Sequence, residues 1–571
     1  MWWSGSADPD AAANAGRRRT AHAHALPRIL VPSFVVLVGC IAYGAAMAIP
    51  AWETDTWVLN LLAQRTLHAG SWSDALAVSR FVLENPKGWS DSFILASWFG
   101  VYALSGGNVV VFHAIGITSH LVTALLVARL AEDGSKSRWV ALWSGALFAA
   151  LPLSQDVVAV EAHSQYPLFG ALFLSAWLLL QRWRDRGNHA ALAVALVLYV
   201  LALATKELSF ALPPLILLEI AALRAAPGAD PAARARAWIG LSLATAVAVP
   251  FVMRPFWVAM ANPERATSPA DAAMLRDLTH YLVPWVLVPK MALDLGRWGI
   301  TPFADEGAAT RWFPLNAMLS TTTFFFGVAA LARDRVLSRW RWVRPAVWIL
   351  LGYLPVGFQL DRSSFEKTGE LYLAAVGMAL AWGELVGSGT TLRRTRAALG
   401  GATLLAMLVH LQVLHHAMQV HGDRVQAAVR GLEGELDSAP PGGGIVIVGE
   451  ERLDRGAIDA VVLQIAHDRQ RLAAPISWIG GGGSRRQVDR CPEGVWVVDT
   501  ADARLIGWND EASRFERLDD PARLGHALAW RNPDPERVWI RDACVVTHEG
   551  RTLLTTEVLK DLSPDAILRR L

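Results

Sequence analysis

From Ile29 to Ala51 no charged residue interrupts the chain, and at about 1.5 Å per helical residue this stretch crosses a hydrocarbon core roughly 30 Å thick. It is too long for the apolar region of a secretory signal, so it reads as a permanent transmembrane helix. Further apolar stretches occupy approximately 107–130, 139–153, 165–181, 189–204, 208–223, 237–258, 315–332, 345–360, 371–388 and 397–420, which makes eleven spans. After residue 420 the pattern changes. Short β-like runs such as "GIVIVG" and "GVWVVD" stand among polar and Gly/Pro-rich stretches and predict a small α/β domain over 421–571.

Charge gives this pattern a direction. Basic residues crowd every second connection: Arg17, Arg18, Arg19 and Arg28, then Lys136 and Arg138, then Arg182, Arg184 and Arg186, then Arg224, Arg234 and Arg236. The alternation continues with Arg333, Arg335, Arg339, Arg341 and Arg344, and ends at Arg393, Arg394 and Arg396. By the positive-inside rule these connections and the N-terminus are cytoplasmic, and the loops around 51–106, 154–164, 205–207, 259–314 and 361–370 face outward. An odd number of spans also puts 421–571 outside. The expected architecture is an all-α polytopic membrane protein of about eleven transmembrane helices with a small soluble α/β domain. It comprises a basic cytoplasmic tail (1–28), a multispan domain (29–420) with its first outer loop at 51–106, and an extracytoplasmic C-terminal domain (421–571).

Composition agrees, since a mean hydropathy of +0.30 over 571 residues is that of a membrane protein. The net charge of +2 says little about partners, and no nucleic-acid partner is expected. Three cysteines exclude a disulfide-dense scaffold, although Cys491 and Cys544, the two outside the membrane region, can pair in an oxidising compartment.

The outer loops hold the acids. Glu53 and Asp55 follow the first span directly, and "TWVLNLLAQRTLHAGSW" after them reads as an amphipathic helix lying on the membrane surface. A carboxylate there can take a proton from a hydroxyl while water still reaches it; the plainer reading is a solvated helix end. Asp156, Glu161 and His163 occupy a tight outer turn, where they either serve a site or only turn the chain. Lys206 and Glu207 are bracketed by apolar residues, so Lys206 either holds a phosphate or snorkels with Glu207 as its counter-ion. Arg254 is a second candidate cation or an interface anchor. His113 and His120 lie seven apart on one helical face, suited to packing or, for His113, to the site. No His/Cys cluster has the spacing of a zinc site, and "WIGGGGSRRQ" lacks the ending of a phosphate loop.

In combination, "ETDTW" after the first span, "GGNVVVFHAIGITSHLVTALLVARL", "PLSQD" and the Lys206-Glu207 pair resemble the motifs of GT-C class glycosyltransferases. The likeness is to the membrane portion of the tetratricopeptide-bearing O-mannosyltransferases and their bacterial relatives, over residues 30–225. Farther on, "GELYLAAVGMAL" is similar to an Arg-aromatic-Leu-Tyr-Leu-Pro segment of that family, with Gly369 and Ala374 replacing its arginine and proline, and Arg362 or Lys367 as substitutes for the arginine.

The resemblance implies inverting transfer of a mannose-like sugar from a polyprenyl-phosphate donor to an acceptor hydroxyl, on a protein, glycan or lipid, at the outer face of a bacterial inner membrane. Asp55 would be the general base, with Glu53 and Asp156 positioning hydroxyls, and Lys206 with Arg254 would hold the donor phosphate. Glu207, Glu161, His163, His113 and Arg362 complete the expected substrate site. The lipid-phosphate sugar is a co-substrate, and the scheme calls for no cofactor or metal. Two other readings are a lipid-linked glycan flippase, for which Glu219 inside an apolar span is the pointer, and a ligase of preassembled glycans.

Overall fold

The computed structural model describes residues 29–68, 92–151, 155–225, 230–261, 326–330, 339–357 and 372–438, together with shorter segments between 445 and 567. Helices lie on the apolar stretches. Helix α1 (Leu30–Tyr43) ends in a 3-10 turn (Gly44–Ala48), and α2 (Thr54–Leu67) and α3 (Ser92–Ser105) follow it. Next come α4 (Val109–Ser135), α5 (Arg138–Ala149), the short α6 (Gln155–Ala159), α7 (Gln165–Arg186) and α8 (His189–Leu203). They are followed by α9 (Leu212–Ala225), α10 (Pro231–Ala261), α11 (Arg339–Gly357), α12 (Tyr372–Gly387) and α13 (Arg393–Asp437). Of the expected span at 315–332, the described part is the helical segment 326–330.

Among the described residues, Leu30–Ala48, Val109–Ser135 and Arg393–Asp437 are long and apolar enough to cross a membrane unaided. These apolar helices make the chain a membrane protein. Each divides its surface between protein and lipid: α1 buries Val35, Val38 and Ala42 against its neighbours and exposes Val36, Leu37 and Ile41. Where helices meet, small residues let the backbones approach. A Cβ added at Gly377 of α12 would stand 2.6 Å from the Pro345 carbonyl and 2.7 Å from the Ile349 nitrogen, both on α11.

The C-terminal part holds a five-stranded mixed sheet. Strand β1 (Ile445–Val448) pairs in parallel with β2 (Ile476–Ile479) and β4 (Arg504–Asn509). Antiparallel β8 (Leu559–Asp561) and β5 (Arg514–Arg517) flank them, giving the order β5-β4-β1-β2-β8. Helix α14 (Arg455–Arg469) connects β1 to β2, and β3 (Trp496–Asp499), β6 (Ala543–His548) and β7 (Arg551–Leu554) form a second, three-stranded sheet. Cys491 lies outside the described residues, and with it the pairing expected with Cys544.

Two features of the helices bear on the expected outline. The boundary at 420/421 falls inside α13, which continues unbroken for 45 residues. That is about 68 Å of helix, more than twice a hydrocarbon core, so one helix is both the last span and the start of the C-terminal part. The helix at 54–67 does not lay its apolar face on lipid: Trp57, Leu61 and Leu62 are buried in one cluster with Val425, Val429 and Leu432 of α13. The apolar stripe fits a protein partner as well as a bilayer, and here the partner is the chain's own C-terminal part.

The glycine contact yields a direct test. Gly377→Val drives two methyl groups into the α11 backbone, and overpacking of this kind costs about 1–3 kcal/mol. A lowered midpoint in detergent thermal unfolding is expected, with a smaller loss in Gly377→Ala.

Candidate functional site

The chain leaves the first span through the extended residue Ile49 and turns into α2. Glu53 caps that helix, its Oε2 accepting the Thr56 backbone N–H at 3.2 Å, and Asp55 sits in the first turn. Both acids therefore stand where the helix leaves its N–H groups unpaired and its dipole favours negative charge. Asp55 is exposed and Glu53 half-buried. Burial pushes the Glu53 carboxyl well above the usual carboxylate range; the adjacent Asp55 and Glu161 push it further, against the N–H bond from Thr56. The two acids thus differ in environment, one tending to keep its proton and the other open to water.

A second layer supports them from below. Glu161 opens the 3-10 turn Glu161–His163 and is buried; its Oε1 lies 3.0 Å from His113 Nε2, and its Oε2 accepts the Thr56 hydroxyl at 3.2 Å. The His113 ring is also buried, with Nε2 3.0 Å from the Ile49 carbonyl. Glu161 and His113, both expected in the substrate site, hold each other, the end of the first span and the first turn of α2.

The same 3-10 turn delivers His163 to the acids. Donor atoms of Glu53, Asp55 and His163 all lie within 4.8 Å of one another, although 110 residues separate the first from the last. Carboxylate oxygens with an imidazole nitrogen form a donor set able to hold a divalent cation, a grouping that sequence spacing did not reveal. Three residues further on, Tyr166 sets its ring edge-on to His163 with centroids 6.3 Å apart. The Lys206 ammonium lies over the Tyr166 ring, 4.8 Å from its centroid. Lys206 is buried, in extended backbone before the 3-10 turn Glu207–Ala211. The order is therefore acids, imidazole, phenol ring and ammonium along one path.

Other expected residues lie elsewhere or outside the description. Asp156 is on α6, Glu207 starts the 3-10 turn beside Lys206, and Arg254 is on α10, with the side chains of all three outside the described residues. Arg362 and Lys367 lie outside them altogether. His120 packs within the helices, its Nδ1 2.7 Å from the Tyr372 hydroxyl and its ring edge-on to Tyr43. Glu219 is paired with Arg184 at 2.6 Å and accepts from Gln181 at 3.1 Å, at the arginine-bearing end of α7, so the pointer to a midmembrane transport path is taken up by a local ion pair. Thr56 and Tyr166 were missed. Tyr166 follows His163 by three residues, one helical turn, and Thr56 carries no distinguishing signal.

No family model and no curated protein matches the chain. Among solved structures, it is similar to ArnT from Cupriavidus metallidurans in the apo state, at 11% identity over 79% of this chain and 93% of that one, with a TM-score of 0.42. The same protein bound to undecaprenyl phosphate matches at 13% identity, over 80% and 94% of the two chains, with a TM-score of 0.42. The archaeal oligosaccharyltransferase AglB from Archaeoglobus fulgidus, in complex with an inhibitory peptide and a dolichol-phosphate, matches at 12% identity over 77% and 64%, with a TM-score of 0.38. At these scores the likeness is distant, and the functional reading rests on this chain's own residues.

Glu161→Leu tests the supporting layer. It removes one partner of a buried pair and strands His113 and the Thr56 hydroxyl, a loss of about 3–5 kcal/mol. A clearly lowered unfolding midpoint is expected, whereas an unchanged one would mean that Glu161 does not hold these elements.

Proposed function

We propose that the protein is a membrane glycosyltransferase that moves a single sugar from a polyprenyl-phosphate donor to an acceptor hydroxyl at the outer membrane face, with inversion. The observation that carries this reading is the convergence of Glu53, Asp55 and His163 within 4.8 Å at the outer end of the first span, joined through Tyr166 to the buried Lys206. In this reading the exposed Asp55 accepts the proton of the acceptor hydroxyl as its oxygen attacks the anomeric carbon. The bond from that carbon to the phosphate oxygen breaks, and its electron pair leaves with the polyprenyl phosphate. Lys206 offsets the charge that develops there, and its burial strengthens the effect because little water screens it. Glu53, inclined to keep its proton, donates to a substrate hydroxyl, and His163 orients the acids. Asp156, Glu207, Arg254 and Arg362 complete the donor site in the same scheme.

The membrane location supports the choice of donor. A lipid-borne phosphate sugar is confined to the depth of the outer helix ends, and a water-borne acceptor approaches from above. The arginine alternation further supports a bacterial inner-membrane protein of about eleven spans, with a cytoplasmic N-terminus and an extracytoplasmic C-terminal part over 421–571.

Asp55→Asn decides the base. Asparagine keeps the shape and can accept a hydrogen bond but takes no proton, so transfer by purified protein should fall about 10²–10⁴-fold while donor binding persists. Near wild-type transfer overturns the assignment. Wild-type activity should survive a chelator; loss in EDTA restored by Mn²⁺ or Mg²⁺ would make Asp55 a metal ligand instead. Product mass separates transfer of one sugar from ligation of a preassembled glycan.

Lys206→Met keeps the chain length and removes the charge. Donor affinity, measured with polyprenyl phosphate in detergent, should fall at least about tenfold while the protein remains folded. Unchanged affinity would leave Lys206 as a residue packed on Tyr166.

A further inference from the structure

Helix α2 belongs to two structures at once. Its first turn carries Glu53 and Asp55, while Trp57, Leu61 and Leu62 along its length close the hydrophobic core of the C-terminal part. Burial of this kind is non-directional and holds the helix against its packed neighbours. Directional bonds then fix the register. Gln426 on α13 donates from Nε2 to the Ala51 carbonyl at 3.2 Å, two residues before Glu53, and to Gln464 Oε1 on α14 at 3.0 Å. At the other end, Gln64 Nε2 donates to the His467 carbonyl at 2.9 Å.

The His467 ring occupies the junction of three helices. Its Nδ1 lies 2.8 Å from the Asp468 carboxylate, which accepts the ring N–H and leaves Nε2 to accept the Tyr102 hydroxyl of α3 at 2.7 Å. The ring also packs against Trp57 of α2 with centroids 5.5 Å apart. Both nitrogens are thereby engaged, one within α14 and one on α3. The exposed pair of Arg65 and Asp565, 2.8 Å apart, adds little beside these because water screens it.

We propose that His467 is a positioning residue for transfer, acting through α2 on the acidic first turn, and that the C-terminal part belongs to the transfer machinery for this reason. The inference rests on the reading of Asp55 as the base. A carboxylate that must meet an incoming hydroxyl at hydrogen-bond distance loses rate steeply with displacement, about a hundredfold for 1 Å. His467 opposes that displacement through its ring, which Tyr102 and Asp468 hold in place and which packs on Trp57, two residues after Asp55.

The test is a double-variant cycle in the full-length purified protein, reading kcat and donor KM together with the unfolding midpoint. His467→Ala should lower kcat about tenfold to a hundredfold with donor KM unchanged, and Tyr102→Phe, which removes the same bond from the other side, should act in the same direction. His467→Gln, which can still bond Tyr102, should recover part of the rate. Combined with Asp55→Asn, His467→Ala should cost nothing further, because there is no longer a base to position. Wild-type kcat in His467→Ala, or a full additional loss on the Asp55→Asn background, overturns the inference. A wild-type rate in Asp55→Asn overturns the base assignment whatever His467→Ala does, so the two failures are distinguishable.

Discussion

The arrangement around Glu53 and Asp55 rests on the pairing of Glu161 with His113. A carboxylate taken out of water survives only with a partner, and this one has two: the His113 ring at 3.0 Å and the Thr56 hydroxyl at 3.2 Å. The consequence is structural. His113 belongs to α4, Thr56 to α2, Glu161 to the turn before α7, and the Ile49 carbonyl that His113 also meets ends the first span. One buried acid therefore ties four pieces of chain together close to Glu53. Its negative charge also helps to raise the Glu53 carboxyl, so the support shapes the electrostatics of the acids above it.

Much of this was legible in the sequence, for identifiable reasons. Helices appear where charge-free runs predicted them because burial of backbone in lipid leaves a chain no other single-segment solution. Glu53 and Asp55 stood out because they follow such a run immediately, and Lys206 because apolar residues bracket it. The direction in which a side chain works was not legible. Glu161 and His163 share one short turn, yet Glu161 points down to His113 and His163 meets the acids, a division that a three-residue turn decides by geometry and periodicity cannot encode. His163 comes within 4.8 Å of residues 110 positions earlier through the packing of α1, α4 and α7, which no local pattern carries.

The continuation of α13 past the apolar stretch was hidden for a different reason. Hydropathy falls after residue 420, and a span is read as ending there, but nothing in the next residues stops a helix. The first proline after the span is Pro440, and α13 runs until Asp437. Polarity marks the edge of the bilayer, whereas capping and proline mark the end of a helix; in α13 the two signals lie 17 residues apart.

That continuity explains why α2 is covered by protein and not by lipid. An amphipathic helix resting on a fluid bilayer is held at one depth but remains free to slide and rotate within the interface. Such freedom is compatible with anchoring and incompatible with chemistry, which needs a reacting group held within about 0.5 Å of its working position. By extending α13 past the membrane and folding α14 against the same face, the chain replaces a fluid support with a packed one, and Trp57, Leu61 and Leu62 meet fixed neighbours. The acids at the other end of α2 inherit that rigidity. A packed C-terminal part beside α2 therefore gives Glu53 and Asp55 a fixed position that a bilayer surface alone would not supply.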